Sequence, residues 1–419
     1  MSNFQYLTHK LSFLYAGLII ILIPSCSNQQ AKSRNAVEAQ AIQEDFTLQV
    51  DFDYQHYLDM AAEQVKTTVP SVPSQRYPRT FEDEKLVTVK PRDWTSGFFP
   101  GNLWFLFEDT GLDFWKEKAI NWTKGLESQK NNNRTHDTGF MMYCSYGNGY
   151  RLTRDTNYRA ILLETAATLA SRYNPNVGCI RSWDFNRSDT DWQFPVIIDN
   201  MMNLELIMWA FKETQDSTYY NIALNHALTT MKNHYRSDFS TWHVVDYDPG
   251  TGDIRSKGTH QGFSDDSEWA RGQAWGLYGY TMMYRETEVQ QFLEQALRIA
   301  DYVIAKNSAL SDGIPVWDYD DPDVANAPKD ASAAAIAASA LLELSKYADE
   351  DKRKEYFNEA VDLLTTLSND YRVELGDKGG FILDKSTGNF RRDSEVSVPI
   401  VYADYYYLEA LLRLKKYVN

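Results

Sequence analysis

The sequence predicts an all-α fold, an (α/α)6 barrel of six inner and six outer helices. Three observations lead there. From Phe52 onwards apolar residues recur with the helical period, and strand-like alternation is scarce. Two kinds of helix take turns along the chain, one apolar nearly all round and one with a charged face; the first kind belongs inside and the second outside. No Pro/Gly/Ser-rich linker interrupts residues 46–419, so a single closed domain takes them all.

Each apolar helix is entered through a loop carrying Gly, Asp or Trp. The starts fall near Trp94 (Asp93-Trp94-Thr95-Ser96-Gly97-Phe98), Asp137 (His136-Asp137-Thr138-Gly139-Phe140), Asp199, Trp269, Asp330 and Asp404. Between them lie amphipathic helices over Asp53–Thr67, Phe114–Gln129, Tyr158–Arg172, Thr218–His234, Val289–Lys306 and Lys352–Tyr371. The uneven spacing of the inner starts excludes a strict repeat array. The long connections Asn174–Ile198 and Ser237–Glu268 are where a binding surface is expected. If alternate helices run in opposite senses, all inner helices start at one end. Trp94, Asp137, Asp199, Trp269, Arg271, Asp330 and Asp404 would then ring one mouth of the barrel.

Ahead of the domain, residues 1–25 read as a lipoprotein-type signal peptide. Lys10 precedes the apolar run Leu11–Ile23, which is short for a membrane-spanning helix. Ile23-Pro24-Ser25-Cys26 resembles the site at which a bacterial lipoprotein is cleaved and its cysteine lipidated. Residues 26–45 follow as a polar, flexible tether. The expectation is an exported protein in the periplasm or at the outer membrane, lipid-anchored through Cys26. Cys144 and Cys179 form no disulfide framework and no metal-ligand spacing, and read as core residues.

A formal net charge of −16 leaves no basic excess to neutralise phosphates, so nucleic acid is excluded as a partner. An anionic small ligand is not excluded, since it needs only one local Arg. Aromatic residues make up 14% of the chain, with 11 Trp and 27 Tyr, and such flat amphipathic faces suit stacking on sugar rings. A monomer is expected.

The stretch Phe194-Pro195-Val196-Ile197-Ile198-Asp199-Asn200-Met201-Met202-Asn203-Leu204 brings an apolar approach to Asp199 at the mouth of a helix. A carboxylate among Ile, Met, Phe and Trp side chains loses hydration, which raises its pKa towards the range of a proton donor. Asp before a helix is also a favoured N-cap, and both roles stay open at this point. Asp137 occupies the corresponding position of the neighbouring inner helix. Paired carboxylates suit sugar hydrolysis, where one donates a proton while the other stays ionised. His243 on its own is more often structural than catalytic. Arg271, between Trp269 and Trp275, offers a fork for a sugar carboxylate with stacking faces beside it, or else packs structurally against those rings.

Asp137 in His-Asp-Thr-Gly-Phe, Asp199 in Ile-Asp-Asn-Met-Met-Asn-Leu, the run Ser267-Glu268-Trp269-Ala270-Arg271-Gly272-Gln273-Ala274-Trp275-Gly276-Leu277-Tyr278-Gly279 and the C-terminal Val401–Leu411 together resemble the unsaturated glucuronyl hydrolases, glycoside hydrolase family 88. The resemblance runs from about residue 50 to the end. It implies an (α/α)6 barrel that removes the 4,5-unsaturated uronic acid left at the non-reducing end of oligosaccharides by polysaccharide lyases. It implies that Asp199 protonates C4 of the vinyl ether and helps water add at C5, and that Asp137 holds ring hydroxyls and tunes Asp199. His243, Gln261, Trp269, Arg271 and Trp275 match sugar-pocket positions, Trp94 forms another wall, and neither a metal nor an organic cofactor is implied. The parent polymer would be ulvan or a glycosaminoglycan. Alternatives are an unsaturated rhamnogalacturonyl hydrolase, a sugar isomerase or epimerase using His243 and His260, and a lipid-anchored sugar-binding protein.

Overall fold

The computed structural model describes residues 51–184 and 190–418. The expected signal peptide, the tether to residue 45 and the lipidation site Cys26 lie outside the described residues. The remainder is built from helices in strict alternation. The outer ones are α1 (Tyr54–Thr68), α3 (Asp113–Lys124), α6 (Thr156–Ala170), α8 (Ser217–His234), α10 (Gln290–Ser308) and α12 (Glu350–Asp370). The inner ones are α2 (Phe98–Thr110), α4 (Thr138–Met142) continuing into α5 (Asn148–Thr153), α7 (Asn200–Thr214), α9 (Ala270–Thr287), α11 (Ala331–Leu344) and α13 (Val401–Val418).

Burial explains the two rings. Every residue of α11, Ala331 to Leu344, is buried, and its Ala-rich surface lets neighbouring backbones approach. On α10 the buried set Phe292, Leu293, Gln295, Ala296, Ile299, Ala300 and Val303 falls on one face, as a peripheral helix requires. Four of the six outer helices start from aspartate caps: Asp53 accepts from His56 N at 3.0 Å, Asp155 from Asn157 N at 2.8 Å, Asp216 from Thr218 N at 2.9 Å and Asp349 from Lys352 N at 3.0 Å.

Three details differ from the expectation. The second inner helix is not uniformly α-helical, because Tyr143–Gly147 widens into a π turn between α4 and α5. There the Tyr143 ring lies over Gly147, where a Cβ would come within 2.8 Å of it. The last inner helix begins at Val401, so Asp404 sits a turn inside it. Asp404 is buried and accepts the backbone N–H groups of Ile382 (3.1 Å) and Leu383 (2.9 Å), pinning that segment instead of facing the mouth. Burial pushes its carboxyl up to about 8, against the pull of those two bonds. Third, the connections hold short strands. These are the hairpin β1 (Tyr77–Glu82) with β2 (Lys85–Val89), the pair β3 (Tyr173–Asn174) with β4 (Cys179–Ile180), and the three-stranded sheet β5 (Phe194–Ile197), β6 (Val244–Tyr247) and β7 (Ile254–Gly258). A last hairpin joins β8 (Ser386–Asn389) to β9 (Ser394–Val398). Antiparallel pairing sets Ile197 opposite Val244, placing the residues after β5 beside those before β6. Cys144 and Cys179 are buried free thiols.

The first two inner helices meet at Gly97, where an added Cβ would lie 2.3 Å from the Met141 carbonyl oxygen and 2.6 Å from that of Phe140. Backbone cannot yield as a side chain can. Gly97→Ala is therefore expected to lower the unfolding free energy by about 1–3 kcal/mol, the cost of an overpacked core. An unchanged midpoint in thermal denaturation would show that the two helices can separate freely there.

Candidate active site

The inner-helix starts and the hairpins enclose a cleft of about 240 Å³. Asp199 reaches it from β5, held by the backbone bond from Ile198 N to His243 O at 3.0 Å. Asp199 occupies the cap position of α7, yet its side chain makes no cap bond. Asp137, at the start of α4, makes none either. Asp330, by contrast, caps α11 through Ser332 N at 3.1 Å. Capping therefore does not account for the two carboxylates that line the cleft.

Their surroundings differ. The Asp199 side chain is 13% exposed. Burial pushes its carboxyl up to about 6; the positive charge of Arg271 opposes the rise and the charge of Asp137 adds to it. Asp137 instead has polar company on both oxygens. Thr135 Oγ1 donates to Oδ2 at 2.5 Å, and His136 Nε2 lies 3.1 Å from Oδ1.

His243 is buried behind Asp199. Its Nδ1 faces the backbone N–H groups of His260 (3.2 Å) and Gln261 (3.3 Å), which makes Nδ1 an acceptor and puts the neutral ring's proton on Nε2. That nitrogen lies 3.8 Å from Asp199 Oδ2. The ring stacks on Trp269 with centroids 4.3 Å apart. Gln261 lines the cleft and donates from Nε2 to Gly388 O at 2.8 Å. Trp94 forms a wall, tilted against Tyr402 at 5.0 Å.

Three expected sugar-facing residues serve otherwise. Trp269 is buried and absent from the cleft lining, because its ring is taken up between His243 and the Arg271 guanidinium, 4.7 Å away. Trp275 points into the barrel interior, packed on Phe140 and Tyr406 at 5.3 Å each. Arg271 does line the cleft floor, but its fork is engaged: Nη1 binds Asp330 and donates to Thr387 O at 2.6 Å, and Nη2 donates to Gly388 O at 2.7 Å. Of the projected ring of mouth residues, Trp94, Asp137, Asp199 and Arg271 line the cleft, while Trp269, Asp330 and Asp404 do not.

Several lining residues had no sequence signal strong enough to select them. Arg79 of β1 holds Glu395 of β9 through Nε–Oε1 (2.5 Å) and Nη2–Oε2 (2.8 Å), and also meets Asp93 at 3.1 Å. Trp183 lines the cleft and stacks on Trp192 at 6.0 Å. Among the described residues no group of three or more His, Cys, Asp or Glu side chains is placed to hold a metal ion.

The sequence profile of Glycosyl Hydrolase Family 88 matches residues 73–344. The chain belongs to glycosyl hydrolase family 88. It is 48% identical over 346 residues to an unsaturated glucuronyl hydrolase of Formosa agariphila, covering 82% of this chain and 85% of the relative. It is 33% identical over 353 residues to an unsaturated glucuronyl hydrolase of Bacillus sp. strain GL1, covering 82% and 92%. A crystal structure of an unsaturated glucuronyl hydrolase specific for heparin superposes with a TM-score of 0.84 at 44% identity, covering 87% of this chain and 97% of that one. The family 88 chain is thus an (α/α)6 barrel with two uncapped carboxylates at its mouth.

Because the Arg271 fork satisfies Asp330 and two carbonyls in this family 88 site, Arg271→Lys is expected to act on the fold. Lys keeps the charge but cannot make all these bonds at once. A loss of about 1–3 kcal/mol in chemical denaturation is expected, the scale of buried partners left unsatisfied. Unchanged stability with a raised KM would return Arg271 to the role of carboxylate reader.

Proposed function

We propose that the protein is an unsaturated glucuronyl hydrolase, cleaving the 4,5-unsaturated uronic acid from the non-reducing end of polysaccharide-lyase products by hydrating its double bond. The observation that carries this is Asp199: an uncapped, largely buried carboxyl whose proton affinity burial raises to about 6, beside a second carboxylate that accepts from the Thr135 hydroxyl. In the reaction Asp199 gives its proton to C4 of the vinyl ether, leaving an oxocarbenium shared by C5 and the ring oxygen. Water adds at C5 and its proton returns to Asp199. The C5 hemiketal opens by breaking its bond to the ring oxygen, and the hemiacetal left at C1 releases the remaining sugar. Asp137 orients ring hydroxyls, and the Nε2–H of His243 supports the Asp199 carboxylate once it has given up its proton. Trp94 and Trp183 supply faces for the sugar rings.

The substrate comes from a glycosaminoglycan or ulvan, in keeping with relatives named for glucuronyl, chondroitin and heparin substrates. Assays of heparin, chondroitin and ulvan lyase products side by side rank these. An isomerase reading is less favoured because His243 lies buried behind Asp199 and does not line the cleft opposite His260. We also propose that the protein is carried to the periplasm or outer membrane by a lipid on Cys26. Cys26→Ser should then move it from the membrane fraction to the soluble fraction, and an unchanged distribution would sink the anchor.

Asp199→Asn is expected to cut turnover at least about a hundredfold with the fold intact, the scale of a lost general acid. In the wild type kcat/KM should fall as pH rises through about 6, where Asp199 loses its proton. Turnover in heavy water should place deuterium at C4 of the released sugar, and saturated glucuronides should be inert. Product without deuterium at C4, or brisk cleavage of a saturated glucuronide, would mean conventional attack at the anomeric carbon.

A further inference from the structure

The two cleft carboxylates sit at equivalent helix starts, and something must decide which one carries the proton. The candidates lie behind Asp137. His136 is fully buried, and its Nδ1 faces the side-chain nitrogen of Asn203 at 3.4 Å. The orientation of that amide is fixed, because Asn203 Oδ1 accepts the backbone N–H of Phe140 at 2.9 Å. The amide group facing His136 is therefore NH2, which can only donate. Nδ1 must accept, and the neutral ring's proton lies on Nε2, 3.1 Å from Asp137 Oδ1. Asn203 comes this close because residue 139 is glycine: a Cβ there would lie 2.3 Å from Asn203 Oδ1 and 2.7 Å from its Cα.

We infer that Asn203 and His136 are positioning residues, a relay that with the Thr135 hydroxyl bonded to Oδ2 turns the His136 N–H towards Oδ1 of Asp137 and so confines the shared proton of the pair to Asp199. Donors on a carboxylate favour its ionised form; exposure does not separate the two side chains, 13% for Asp199 and 16% for Asp137, but Asp137 Oδ2 accepts from Thr135 whereas Asp199 Oδ2 meets only His243 Nε2, at 3.8 Å. The relay links α7, which carries Asn203 and begins directly after Asp199, to the loop carrying His136 and Asp137. Each carboxylate is thereby placed in register with the other. The remaining charged or titratable groups that line the cleft or touch the pair, among the described residues, are His243, His260 and Arg271 from the segment between β5 and α9 and its first turn, Arg79 from β1, Arg392 and Glu395 from the β8–β9 hairpin, and Tyr402 from α13. None of them is altered in the variants below.

The inference rests on the function proposed above, and the experiment separates the two. Thr135→Val, which deletes the hydroxyl donor to Oδ2, and His136→Phe, which deletes the N–H facing Oδ1, should each lower kcat about tenfold or more with KM changed less than about threefold. In both the acid limb of the pH–rate profile should move to higher pH, since Asp137 then takes a proton more readily. Thr135→Ser keeps the hydroxyl and should restore both kcat and the profile. Nitrogen-15 spectra of histidine-labelled wild-type protein should show the His136 proton on Nε2 and none on Nδ1; that readout stands even if His136→Phe fails to fold. A proton on Nδ1, or folded Thr135→Val and His136→Phe variants with the wild-type profile, would overturn the relay. If Asp199→Asn retained activity, the proposed function itself would fall, whatever these variants did.

Discussion

A guanidinium exposed to only 1% has to be compensated from within the protein, and the mouth of this barrel is arranged around compensating Arg271. Moving such a charge out of water costs several kcal/mol unless its donors all find partners. Asp330 supplies the opposite charge from the start of α11, and the carbonyls of Thr387 and Gly388 take further donors. The rings of Trp269 and Tyr402 lie 4.7 and 5.3 Å from the cation. Satisfying one side chain thus docks the β8–β9 hairpin onto α9 and α11. The same cation opposes the rise of the Asp199 carboxyl, so the piece that docks the wall also sets how strongly the acid holds its proton.

The two cleft aspartates show how chemically identical residues at matching positions can be made unlike. Each starts an inner helix and each forgoes the cap bond that Asp53, Asp155, Asp216 and Asp349 make on the outer ring. A free carboxylate at a helix start is oriented by whatever else surrounds it. For Asp137 that is a hydroxyl and an imidazole; for Asp199 it is burial and a histidine at 3.8 Å. Asymmetry between the pair is the property that proton donation requires.

The alternation of helices was legible because it depends on which residues avoid water, and that is written in their order. The ends of most outer helices fall within two residues of the expected positions, whereas α3 stops at Lys124, giving way to a 3-10 turn over Glu127–Asn131. Asp137 and Asp199 could be singled out because position relative to an apolar helix is also linear information. The direction in which Trp269 and Trp275 point was not, since residues at a helix start can face the mouth, the interior or a neighbour. Nor could the engagement of the Arg271 fork be read, because its partners, Asp330, Thr387 and Gly388, lie 59 to 117 residues away. The hairpins carrying Arg79 and Glu395 are short, and in the sequence they look like ordinary turns between helices.

The clasp between those hairpins has a temporal side. Arg79 and Glu395 are separated by 316 residues, yet they stand together on the cleft wall. The helices α1 and α13, first and last in the ring, also pack against each other. A closed ring of this kind has no half-built version with a working mouth: a ribosome that has delivered the first five inner helices has delivered both carboxylates but not the wall that Gly388, Glu395 and Tyr402 contribute. Competence to process substrate therefore arrives in one late step, when the chain's tail closes on its head.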